Sequence, residues 1–266
     1  MTGLFDKLRA IVRRDLLTAI RHRSGFALTA LGLLTQLAAF YFLSRAIGPA
    51  FRPGGVEYFP FLLVGTGVYT FFVMSTNAFL STVQEAQQTG TMEVLMTTST
   101  APAELFVLSS ISAFTGNLAN LAFYLVAGGV LFRAAFQIDL VACALVVLLS
   151  LAIALALGIA AVTVQISFQK GAALLWLLNS ALWLLSGALF PVESLPRPLV
   201  MLARMIPLTY AVDGMRMAML QGRSAGEMGG TLAAMAAFSL VLVPAALWGL
   251  SVSLRRARRS GTLSFY

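Results

Sequence analysis

Charge is what this 266-residue chain has least of: Asp, Glu, Lys and Arg together make up 11% of it. Soluble domains carry about 25%, so these residues cannot cover a water-facing surface. Histidine occurs once, as His22 between Arg21 and Arg23 at an apolar boundary, where it reads as solvated. No cluster of His, Cys and Glu has metal-ligand spacing, and no nucleophile motif stands out. The single cysteine, Cys143, lies in an apolar run, forms no intrachain disulfide and reads as a small buried hydrophobe. The only lysines, Lys7 and Lys170, follow Asp6 and Gln169. A phosphate-binding loop needs Gly-Lys-Ser/Thr, so any ATP chemistry belongs to another chain. Acids are missing from the middle of every long apolar run, which argues against an ion-coupled carrier.

What the chain does have is apolar length. Hydrophobic residues make up 59% and the mean hydropathy is +0.88. A bilayer crossing takes ~20 apolar residues, and the runs predict spans over 26–44, 58–82, 104–132, 138–165, 171–190 and 228–254. The expected fold is an all-α integral membrane protein of six transmembrane helices in one domain, residues 1–266. Its parts are an interfacial helix (1–25), spans one and two (26–82), a polar segment (83–103) and spans three to five (104–190). An outer stretch (191–222), span six (228–254) and a tail (255–266) complete it.

The net charge of +8 invites a nucleic-acid reading, but its placement points to lipid instead. Lys7, Arg9, Arg13, Arg14, Arg21 and Arg23 precede the first span, and Arg255, Arg256, Arg258 and Arg259 follow the last. Such clusters set topology and meet anionic headgroups, so both termini are expected on the cytoplasmic side of the cell inner membrane. Leu4, Leu8, Ile11, Val12, Leu16, Leu17 and Ile20 recur at helical spacing among the first bases. That predicts an amphipathic helix lying on the leaflet; a secretory signal is the rival, but its basic region is shorter.

Two polar segments break the pattern. Residues 85–98 contain Glu85, Gly90 and Glu93 but no base, although this loop is expected in the cytoplasm. Gly90 can end the extension of span two. Thr91 can cap a helix starting at Met92, and Glu93 suits its first turn. Residues 191–222 hold Pro191, Pro196, Pro198 and Pro207, each of which interrupts a helix. Two half-length helices meeting at Pro207 predict a re-entrant hairpin; an external loop with surface helices is the alternative. Arg197, Arg204, Arg216 and Arg223 sit on this outer side against the charge rule.

Inside the spans, Gln36, Asn77, Asn117, Asn120 and Asn179 read as hydrogen bonds between helices. Tyr58, Phe59 and Phe61 fit an interfacial aromatic belt. Tyr69, Phe71, Phe72, Trp176 and Trp183 lie near mid-membrane, where lining a passage for an amphipathic substrate and packing against neighbours or lipid are both open.

Taken in order, these elements resemble the membrane subunits of type-2 ABC transporters, mostly exporters. The first is the basic interfacial helix. The second, Glu85-x4-Gly90-Thr91-x-Glu93-x-Leu95-x-x-Thr98, is similar to that family's coupling segment, with extra residues after the first Glu. The third runs from Phe190-Pro191 through Leu195-Pro196 and Pro207-Leu208-Thr209-Tyr210 to Asp213, Arg216 and Gly222, and resembles the signature between spans five and six. The resemblance implies a coupling helix docking on a separate ATPase subunit, which binds ATP and magnesium, so this chain carries no cofactor and no catalytic residue. It implies outer re-entrant helices with Pro207 at the break, Tyr210 as a gate residue, and Asp213 pairing with Arg216 on one helix face. It also implies a homodimer exporting a drug-like or lipid-linked substrate such as a lipo-oligosaccharide, with a polysaccharide or O-antigen permease as the neighbouring alternative. The rival from another class is an assembly or anchoring subunit that moves nothing; a lipid-modifying enzyme has no candidate acid, base or metal site.

Overall fold

The computed structural model describes residues 23–88, 102–168 and 171–260, and among these the regular structure is entirely helical. The helices are α1 (Arg23–Ile47), α2 (Tyr58–Gln88), α3 (Pro102–Phe132), α4 (Leu140–Phe168) and α5 (Gly171–Leu185). Then follow two short helices, α6 (Arg197–Arg204) and α7 (Pro207–Leu220), and the long α8 (Gly229–Ser260). Among the described residues, five helices are long and apolar enough to cross a membrane, over Leu28–Ile47, Tyr58–Ala78, Phe114–Phe132, Leu140–Gln165 and Gly229–Ser253. The chain is therefore a multi-pass membrane protein.

The fifth expected span departs from its sequence boundaries. Over 171–190 the helix lasts only 15 residues and stops at Leu185. Gly187 then turns into the left-handed region at φ 75°, and a Cβ there would lie 2.8 Å from Val192. Apolar composition continues to Phe190, but backbone geometry does not, and composition alone cannot show a break of this kind. Other helices continue past the expected span ends, α2 to Gln88 and α8 to Ser260, the latter with Pro244 inside it.

The core sits where α2, α4, α7 and α8 meet. Val64, Val68, Phe72, Val146, Ile153, Leu208, Val212, Met215 and Met235 are buried together there. At ~25 cal/mol per Å² of apolar surface removed from solvent, such side chains contribute about 1.5–3 kcal/mol each in water. In lipid, packing takes over that role. A second cluster, Leu37, Phe59, Leu63, Tyr124 and Ala127, joins α1 to α2 and α3. Here Gly128 lets Leu63 approach so closely that a Cβ would lie 2.5 Å from it. Asn117 Nδ2 donates to Ser75 Oγ at 3.3 Å, an interhelical use of one of the span asparagines.

Tyr58, Phe59 and Phe61 do not form a lipid-facing belt. All three are buried inside the bundle, with Phe59 and Phe61 each 6% exposed: Phe59 packs with Leu37 of α1 and Tyr124 of α3, while Leu189 and Arg216 cover Tyr58 and Phe61. The short α7 is likewise no surface helix: ten of its residues, from Leu208 to Leu220, are buried.

Candidate functional site

The end of the bundle that holds 48–57, 133–139 and 186–222 is organised around one buried side chain. Arg216, on α7, is 6% exposed. Its Nη1 donates to Gly187 O at 2.8 Å, and its Nη2 donates to Ala188 O at 2.9 Å. Nε and Nη2 both donate to Phe61 O, at 3.3 and 3.1 Å. The guanidinium carbon lies 3.4 Å from the centroid of the Phe61 ring. Asp213, one turn earlier, stands 3.7 Å from Nη1.

The sequence explains each part of this arrangement. Stopping α5 at Leu185 frees the carbonyls that a continued helix would have used, and buried carbonyls without partners are costly. Arg216 supplies a rigid fork of donors for them. Tyr58 adds a further donor, its hydroxyl reaching Leu189 O at 3.1 Å. Three consecutive carbonyls just past the end of α5 thus accept from two side chains. The negative end of the α5 dipole also favours a cation at this place. Burial pushes the Arg216 guanidinium down from its ordinary value, and Asp213, Glu193 and Tyr58 hold against that push.

Gly65 makes room for the fork. A Cβ at this position would lie 2.2 Å from Arg216 Nη2 and 2.4 Å from Ala188 O. Any side chain there would occupy the space of the guanidinium and leave Phe61 O out of reach.

The junction of α6 and α7 is braced by hydroxyls. Thr209 Oγ1 donates to Ala203 O at 2.8 Å, and Tyr210 OH donates to Arg204 O at 3.0 Å. Both brace the elbow at Pro207, where α6 ends and α7 begins. At its other end, α7 offers Ala218 O and Met219 O to the backbone N–H groups of Asp139 and Gln137, at 3.0 and 2.8 Å. The 133–139 connection therefore takes up carbonyls that a short buried helix leaves open.

Among the residues expected to carry function, Gly90, Thr91, Glu93, Leu95 and Thr98 lie outside the described residues. Glu85 is exposed near the far end of α2. Phe190, Pro191 and Pro196 flank the turn Val192–Ser194 that leads into α6, and Pro207 opens α7. The pairing expected between Asp213 and Arg216 is present, but the carbonyls hold Arg216 at shorter distances. Tyr210 braces the elbow and packs on Phe238, with ring centroids 5.7 Å apart.

The mid-membrane aromatics divide. Tyr69 OH donates to Asn179 O at 2.9 Å, and its ring meets Trp183 edge-on at 4.5 Å, fastening α5 to α2. Phe72 is in the core, whereas Trp176 is 72% exposed. The two tryptophans share no environment. Phe72 also borders an apolar cavity of about 130 Å³ between α2, α4 and α5, with Thr76 and Asn179 as its polar rim.

Sequence reasoning did not find Phe61, Gly65, Gly187 or Tyr58 as parts of this site. Their signal was present only as a glycine within a span and an aromatic run at its start.

No curated protein is similar enough to this chain to match it. The ABC-2 type transporter family model matches residues 6–220, which include α1 to α7 and the whole Arg216 lock, meaning Arg216 and Tyr58 with the carbonyls of Phe61, Gly187, Ala188 and Leu189. Members are membrane permease subunits that work with a nucleotide-binding ATPase. With a multi-pass helical bundle and a match over most of its length, the chain belongs to the ABC-2 type transporter family and is the permease subunit of an ABC transporter.

Proposed function

We propose that this permease is an exporter subunit, moving an amphipathic, drug-like or lipid-linked substrate while a separate ATPase hydrolyses ATP. The observation that carries this reading is the continuity of α2. Its 31 residues run unbroken for about 46 Å at ~1.5 Å per residue. One end lies in the Arg216 lock; the other reaches the start of residues 85–98, the coupling segment by its sequence.

In this reading 85–98 docks on the ATPase through Glu93 and Leu95, with Gly90, Thr91 and Thr98 shaping the turn. Closure of the ATPase pushes on α2, and α2 carries that push to the hairpin, because Arg216 ties Phe61 to the break after α5. Helix α5 completes six spans, its 15 residues extended by the 186–190 turn. The α6–α7 hairpin is re-entrant from the outer face, both termini are cytoplasmic, and two copies assemble around the pathway. Tyr69, Phe72, Trp176 and Trp183 lie on or behind its wall, and the basic first 25 residues rest on the inner leaflet.

Co-expression with an ATPase encoded beside this chain tests the docking. A stable complex is expected. On a Cys143→Ala background, Glu93→Cys is expected to react with impermeant maleimide only from the cytoplasmic side. Labelling only from outside overturns this topology.

A further inference from the structure

The connection from α1 to α2 borders an open cavity of about 270 Å³ that meets the lock only at Tyr58. Arg45, Arg52 and Glu57 all line it, with Ser44 and Tyr58 beside them. Opposite charges sharing so small a space usually pair, yet Glu57 forms no ion pair with either arginine; among the described residues the ion pair at this end is Arg216 with Asp213.

Aromatic contacts and turn hydrogen bonds frame the cavity. The Arg45 guanidinium lies 5.9 Å from the centroid of the Tyr41 ring, which itself stands edge-on to Phe59. Phe51 meets Tyr58 edge-on at 4.9 Å. Arg52 O accepts from Gly55 N at 3.1 Å, closing the turn that follows, and Glu57 O accepts from Phe61 N at the start of α2.

Helix dipoles account for some of these charges. Arg45 lies in the last turn of α1 and Glu57 just before α2, each the sign its helix end favours. They do not account for Arg52, nor for the open space that all three side chains border. That space lies beside the ends of the apolar stretches Leu28–Ile47 and Tyr58–Ala78, which is the level of lipid headgroups.

We propose that this cavity binds a phosphate bearing a primary ammonium on a short arm, as in a phosphoethanolamine headgroup. Arg45 and Arg52 take the phosphate oxygens, the geometry guanidinium groups suit best, and Glu57 takes the ammonium. A simple anion would meet Glu57, and a simple cation would meet two arginines. A zwitterion satisfies all three. The same chemistry can come from a bilayer lipid or from an exported amphiphile that carries it. Because Tyr58 lines the cavity and also holds Leu189 O, an occupant would sit directly against the lock.

The test is native mass spectrometry of the full chain in non-ionic detergent, titrated separately with dioleoyl phosphatidylethanolamine, phosphatidylcholine and phosphatidylglycerol. Retention of phosphatidylethanolamine is expected to exceed that of phosphatidylcholine at least fivefold, because trimethylation removes the ammonium donors. Arg45→Gln with Arg52→Gln should lower phosphatidylethanolamine retention at least fivefold. Glu57→Gln should erase the preference over phosphatidylcholine and raise retention of phosphatidylglycerol, which no longer meets a carboxylate. Arg223→Gln, a control on an exposed arginine outside the cavity, should change nothing. Equal retention by wild type and the double arginine variant, or a full preference in Glu57→Gln, overturns the proposal. Soluble glycerophosphoethanolamine separates the sources: displacement of the lipid at millimolar concentration shows that the headgroup suffices, as an exported amphiphile requires. Resistance to displacement assigns the site to a bilayer lipid.

Discussion

A buried arginine with one acid 3.7 Å away would be an expensive residue if the acid were its main partner. Arg216 is instead a donor fork for a helix that stops early. Replacing it with methionine of similar length leaves Gly187 O and Ala188 O unpaired, at ~1–3 kcal/mol each. Thermal unfolding in detergent should show a fall of several degrees for Arg216→Met, with Arg216→Lys falling nearly as far because an ammonium lacks the fork. Asp213→Asn should cost far less, since the carbonyls remain bound; equal losses for Asp213→Asn and Arg216→Met would reverse this ranking. Gly65→Ala is the sharper probe, because it keeps every polar group of the lock and takes away only the space that the guanidinium fills. It should destabilise by about 1–3 kcal/mol, the usual cost of overpacking, and an unchanged melting temperature would show that the approach is not needed. None of this could be read from the chain. The sequence shows Arg216 within a recognisable signature and suggests Asp213 as its partner by spacing. Carbonyl partners are supplied by whichever backbone is left open, and that depends on where α5 ends.

At the scale of elements, legibility was uneven for physical reasons. Long apolar runs reveal spans because bilayer thickness sets their length, and α1, α2, α3, α4 and α8 lie close to where hydropathy puts them. Prolines reveal the elbow, since Pro207 cannot continue a helix, and α6 and α7 flank it as expected. The stop at Leu185 was hidden, because Gly187 breaks the helix inside a stretch that stays apolar to Phe190. The burial of Tyr58 and Phe61 was hidden as well, because a belt and a core use the same aromatics. The elbow yields its own prediction. Thr209→Val with Tyr210→Phe removes both hydroxyls that hold α6 to α7. Hydrogen exchange should speed up across 197–204, while the buried 208–220 segment keeps its protection. Loss of protection in both helices would mean that they unfold as one unit and that the hydroxyls are not the brace.

At the scale of the molecule, α2 relates the two ends of the bundle. Its beginning is clamped to the hairpin through Phe61 O, and its far end leads into the base-free segment containing Glu93. A family match over residues 6–220 makes the chain an ABC transporter permease, and the proposal adds that force from the ATPase travels along this helix. The most direct test is ATP-dependent transport by the co-purified complex in proteoliposomes, comparing wild type with Glu93→Arg. The account predicts that Glu93→Arg folds with an unchanged melting temperature yet transports at least tenfold more slowly for each ATP hydrolysed. Transport by Glu93→Arg at the wild-type ratio to ATP hydrolysis would contradict it.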